Sequence, residues 1–253
     1  IAQVRFPTIL AIRNPDKTAG FQDAIRETYP TLTEDRVHHV VLARGREPEL
    51  REDLIWRFAD REKKPTWRVS LGVDFMALET TAYVSRADFL DRFRNVAAGL
   101  EKTFAPSAVT RLGLRYIDRI QGEAVDRIDE LVRPAALGIS GSGGACCGAL
   151  AGALVHMLTD AQFVADEGVI RARWGSLPQN ATHDPDALEP IGARSWILDL
   201  DMFAEERREF TGEGLCDTAG SFAKRVYAVF RDMVTEEFLK HYGRQFNTIE
   251  LNT

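Results

Sequence analysis

The sequence predicts an α+β fold, an antiparallel sheet with two long helices packed on one face. Three observations predict it. Short β-branched and aromatic runs follow one another through links too short for parallel crossovers, which need about a dozen residues or more. Two long segments, Ser85 to Phe104 and Ser221 to Tyr242, carry apolar residues at helical spacing. The stretch Arg111 to Ile120 alternates as a central strand does. It puts Leu112, Leu114, Tyr116 and Ile120 on one face, with Asp118 the only ion among them, and Arg111, Arg115 and Arg119 on the other.

Taken in order, Phe6 to Asn14 reads as a short strand stopped by the turn residues Asn14-Pro15-Asp16. Thr18 to Tyr29 follows as a helix that Pro30 ends. Val37 to Ala43, Asp53 to Ala59, Trp67 to Val73 and Phe75 to Thr81 form an antiparallel meander. Ser85 and Asp88 resemble a capping box for the first long helix, whose stripe is Phe89, Phe93, Val96, Leu100 and Phe104. Pro106 closes it, and the arginine-bearing strand comes next. Glu123 to Val132 reads as helix. Residues 138–148 are a glycine-rich loop, and Leu154 to Val164 turns at Asp166-Glu167-Gly168 into a strand at Val169 to Trp174. A polar loop with Pro178, Pro185 and Pro190 leads to the strand Ser195 to Phe203. The last helix points Phe222, Val226, Val229, Phe230 and Met233 inward.

A weak echo links Trp67 to Phe75 with Trp196 to Phe203, since each begins at a tryptophan and leads to a long aromatic helix. The expected organisation is one domain over 1–253, with a pseudo-duplicated strand-strand-helix unit as the alternative. Its halves would be 1–137 and 149–253, joined by the glycine-rich loop.

Bulk properties narrow the function. A composition of 45% hydrophobic and 28% charged residues suits a globular protein. A net charge of −6 disfavours a general affinity for nucleic acid. Three cysteines, with Cys146 and Cys147 adjacent, fit neither a disulfide framework nor zinc spacing, so a reducing cytoplasm is the expected compartment. No apolar run approaches the ~20 residues that span a bilayer.

The stretches Arg111-Leu-Gly-Leu-Arg-Tyr-Ile-Asp118, Leu198-Asp-Leu-Asp201 and Thr80-Thr-Ala-Tyr83 before a phenylalanine-bearing helix resemble an uncharacterised, sporadically distributed bacterial family of chains about this long. The resemblance covers most of the chain, although the family usually has Asn where Asp118 stands. It carries no catalytic residues. Its patchy distribution implies mobile loci of the toxin–antitoxin or phage-defence kind.

The candidate site is the polar face of the sheet. Alternation puts Asp199 and Asp201 opposite the core face of their strand, and Arg171 and Arg173 share a face of theirs. Arg111, Arg115, Arg119, Arg171, Arg173, Asp199 and Asp201 would then line one surface, either solvated and ion-paired or concave and suited to anions through guanidinium forks.

Other chemistries fail on spacing. The glycine-rich loop lacks the lysine and register of a phosphate loop and the third glycine of a dinucleotide fingerprint. Cys146 and Cys147 have no identifiable histidine partner. His38, His39, His156, His183 and His241 have no metal-ligand spacing. Asp199 and Asp201 are better matched to arginines than to Mg²⁺. The sequence therefore predicts no catalytic residues, no metal and no cofactor. The expected function is non-catalytic binding or regulation in a bacterial defence or toxin–antitoxin locus, through a protein partner or an anionic ligand. An enzyme or sensor for a phosphorylated or nucleotide-like ligand is the second reading. An RNA-binding or RNA-cleaving α+β domain is the third, disfavoured by charge.

Overall fold

The computed structural model describes residues 1–41, 49–138 and 154–243. The glycine-rich loop beyond Gly138, with Cys146 and Cys147, and the end of the strand read at Val37 to Ala43 lie outside the described residues.

The strands are β1 (Ala2–Arg5), β2 (Thr31–Val41), β3 (Glu49–Ala59), β4 (Trp67–Gly72), β5 (Phe75–Thr80), β6 (Arg111–Gln121), β7 (Met157–Ala165), β8 (Gly168–Leu177) and β9 (Ser195–Ala204). The helices are α1 (Pro15–Ile25), α2 (Arg86–Phe104), α3 (Ile128–Leu131), α4 (Pro134–Leu137), α5 (Gly212–Met233) and α6 (Glu236–Tyr242). The fold is α+β, with nine antiparallel strands ordered β2-β3-β4-β5-β1-β6-β9-β8-β7 and α2 and α5 packed against them. The contacts divide into two compact units, Ile1–Leu114 with Phe203–Ser221, and Arg115–Met202 with Phe222–Thr253.

In the first unit, β1 ends at Arg5 because Pro7 has no N–H to donate to a ladder. The strand expected from Phe6 to Asn14 is therefore a short 3₁₀ turn at Leu10–Arg13. Asn14-Pro15-Asp16 starts a helix instead of closing a strand. The Asn14 side chain accepts from the Asp16 N–H at 2.9 Å, and Pro15 occupies the first helical position. Ser85 caps α2 by accepting from the Asp88 N–H at 3.1 Å, as its spacing predicts.

The core of this unit buries Trp56, Phe58, Val69, Leu71, Met76 and Leu78 from the strands, with Phe89, Phe93, Val96 and Leu100 from α2. Each such side chain stabilises the fold by about 1.5–3 kcal/mol relative to exposure. Trp56 also donates its indole N–H to the Ile12 carbonyl at 2.7 Å, which ties the 3₁₀ turn to β3. Gly99 permits the close approach of α1 to α2, because a methyl there would lie 3.3 Å from the Ala24 Cβ.

In the second unit, β7 and β8 form a hairpin that closes at Ala165 and Gly168, in the predicted place. The helix expected at Glu123 to Val132 is two short pieces, a 3₁₀ turn at Gly122–Val125 and α3. Val132 leaves the helix to bridge Val234. That bridge also interrupts the last long helix, so Thr235 caps the separate α6 by accepting from the Phe238 N–H at 3.2 Å. Phe222 and Val226 are buried as expected, while Val229, Phe230 and Met233 are less enclosed.

Gly175 in β8 has φ +148, and a Cβ there would meet the Met157 carbonyl oxygen at 2.0 Å across the hairpin. Gly175→Ala is expected to cost about 3 kcal/mol, from backbone strain and overlap together. Denaturant unfolding measures it, and a loss under about 1 kcal/mol would show that β7 and β8 separate freely.

Candidate functional site

The predicted site residues fall in both units, and most already have partners. In the first unit, the Arg111 guanidinium lies 4.6 Å from the Phe203 ring centroid and 3.9 Å from Glu205. It is a half-buried cation on an aromatic face.

The second unit holds the rest. β6 and β9 are neighbours, so Arg115 and Asp199 meet across the ladder. Arg115 donates Nε–H to Asp199 Oδ1 and Nη2–H to Oδ2, both at 2.8 Å. Arg173 Nη2 from β8 lies 2.7 Å from the same Oδ2, and His183 donates Nε2–H to it, also at 2.7 Å. Arg115 reaches Asp184 with Nη1 at 2.7 Å. Asp199 is only 1% exposed. Burial alone would raise its carboxyl, but Arg115, His183 and Arg173 outweigh that and hold it below the usual carboxylate range. Burial likewise pulls Arg115 down, and Asp199 and Asp184 more than restore it. Two guanidiniums stand against two carboxylates, so this cluster attracts no further anion.

Sequence reasoning missed His183 and Asp184. Both sit in the polar loop between Pro178 and Pro190, where no strand or helix period assigns a face. Thr182 shapes that loop, donating its hydroxyl to the Leu188 carbonyl at 2.7 Å and accepting from the Asp184 N–H at 3.2 Å. Thr-x-Asp ahead of Pro185 is a local turn signal that could have flagged it.

On the outer hairpin, Arg171 is paired bidentately with Asp160, its diagonal neighbour on β7. Asp201 is half-buried, and its charge reaches Arg171.

Arg119 differs from these. Its Nη1–H donates to the Glu189 carbonyl at 2.7 Å, while Nε and Nη2 are shielded from water with no hydrogen-bond partner. Burial lowers its pKa, which the charge of Glu189 opposes only in part. Arg119 lines a cavity of about 560 Å³ with Gln121, Arg127, Leu131, His241 and Tyr242. The walls come from β6, the 3₁₀ turn after it, α3 and α6. Arg127 is already held by Glu130 through Nε at 2.9 Å. The His241 and Tyr242 rings stand edge to face with centroids 4.6 Å apart.

Asp118, the ion on the apolar face of β6, is pushed up to about 6 by burial. Cys216 is buried, and burial raises its thiol to about 11, so it is a poor nucleophile. Among the described residues, no group of three or more His, Cys, Asp or Glu is arranged to hold a metal ion. No described helix is long and apolar enough to cross a membrane. No family model, curated protein or solved structure matches the chain.

Arg115→Ala and Asp199→Ala are each expected to cost about 3–5 kcal/mol, because each leaves buried charge behind. The double mutant should lose about 1–3 kcal/mol less than the sum. A double-mutant cycle measures this, and strict additivity would contradict the pairing.

Asp118 keeps its proton in the fold up to about pH 6. In the unfolded chain it loses that proton near pH 4. Its ionisation therefore lowers stability as pH rises through that window, and the cost is absent below it. Asp118→Asn should gain on the order of 1–2 kcal/mol at pH 7 and nothing at pH 4. Parallel stability–pH curves for the variant and the wild type would show that the carboxyl is solvated.

Proposed function

We propose that the protein acts by holding an anionic group, carried by a protein partner or a small ligand, with no bond chemistry of its own. The observation that supports this reading is Arg119. A guanidinium with two shielded, unmet donors is a costly arrangement, since each unmet donor loses its water without replacement. Arg115, Arg171 and Arg173 each have a carboxylate, so the binding part of the predicted arginine face narrows to Arg119 and the cavity beside it.

The resemblance of the Arg111 to Asp118 and Leu198 to Asp201 stretches to a sporadically distributed bacterial family favours a defence or toxin–antitoxin setting, with a partner encoded beside it. Net charge of −6 weighs against a long polyanion as that partner.

Co-purification from the native host tests the proposal. The neighbouring gene product should remain bound to the wild type and be lost from Arg119→Glu, with the fold retained by circular dichroism. Turnover of a nucleotide, RNA or ester by the isolated protein, abolished by one side-chain change, would overturn it.

A further inference from the structure

Four arginines in the described residues close the same guanidinium edge, Nε with Nη2, on a carboxylate. Arg115 on Asp199, Arg171 on Asp160 and Arg225 on Glu167 each span both oxygens, and Arg127 closes on one oxygen of Glu130. The edge suits two oxygens of one planar anion. In Arg119 that edge is unmet, and only Nη1 is anchored. A long side chain held at one nitrogen can turn the edge toward the cavity it lines, exchanging two unmet donors for two charge-assisted hydrogen bonds.

The surroundings restrict the anion. The cavity, about 560 Å³, is of the size that takes small molecules. Glu130 already answers Arg127, and the exposed Glu123 also lines the cavity, so a second negative charge on the ligand would meet repulsion there. Tyr242, His241 and Leu131 supply flat and apolar wall.

We propose that this cavity binds a small monocarboxylate on a flat apolar body, such as an aromatic acid, with Arg119 gripping the carboxylate as Arg115 grips Asp199. The inference rests on the anion-holding function proposed above and adds the chemistry of the ligand.

Calorimetric titration of the full chain with benzoate, acetate and inorganic phosphate tests it. Benzoate should bind saturably and more tightly than acetate, and phosphate should not bind. Arg119→Met should weaken benzoate about tenfold or more without lowering the melting temperature, because it removes unmet donors. Arg119→Lys, which keeps the charge and loses the fork, should weaken it as well. Tyr242→Ala should bring benzoate down to the level of acetate.

Benzoate bound equally by wild type and Arg119→Met would overturn the site. Phosphate bound through Arg119 as tightly as benzoate would overturn the ligand class and leave the anion-holding function standing. The ligand class also falls, and the function stands, if no small anion binds while Arg119→Glu still loses its co-purifying partner. If neither small anion nor partner depends on Arg119, both proposals fall.

Discussion

The second unit depends on the ionised carboxylate of Asp199. It is 1% exposed, yet Arg115, Arg173 and His183 all close on it. A carboxylate taken out of water this completely is tolerable only when its lone pairs are met by charged or strongly polar donors. Those donors come from β6, from β8 and from the loop between Pro178 and Pro190, so one side chain fixes two strands and a loop at once. Arg115 extends the tie through Asp184. Such a cluster is weak evidence of net stability, since apolar residues of the same volume could fill the space at similar cost.

The same neutrality bears on anion binding. A cluster whose cations and anions cancel is a structural joint. An anion approaching it would have to displace a carboxylate already bound in bidentate fashion at 2.8 Å. Arg119, farther along β6, has no such competitor on its buried, unmet edge. Two arginines on the same strand face thus differ in their partners: Asp199 stands opposite one of them, and only a backbone carbonyl is bonded to the other.

Much of this was legible in the sequence. Alternation along Arg111 to Ile120 separated the core face from the arginine face, and the same period in Trp196 to Phe203 placed Asp199 toward the arginines. The α2 stripe and its Ser85 cap were readable from spacing alone. What escaped depends on contacts distant in the chain. The Val132–Val234 bridge splits the last helix, and no local propensity announces a bridge between residues about a hundred positions apart. The start of α5 at Gly212 was missed because Leu215, Cys216 and Ala219 are buried without a large-residue stripe. His183 and Asp184 lie on irregular backbone, where periodicity assigns no direction. Asn14-Pro15 was ambiguous on principle, since Asx-Pro serves equally as a turn and as a helix start.

The two units share β6, β9 and α5, each of which begins in one and ends in the other. Neither unit is therefore a continuous length of polypeptide, and this governs how the chain is made. A ribosome that has delivered Ile1 to Leu114 has delivered only part of the first unit, whose remaining piece is Phe203–Ser221. Unlike tandem domains, which fold one after another as they emerge, the first unit cannot close until Ser221 has been delivered. Until then Leu215 and Ala219, buried residues of that piece, are missing from the first unit. Between Leu114 and Phe203 the incomplete unit leaves apolar strand uncovered, a period in which chaperone binding competes with aggregation.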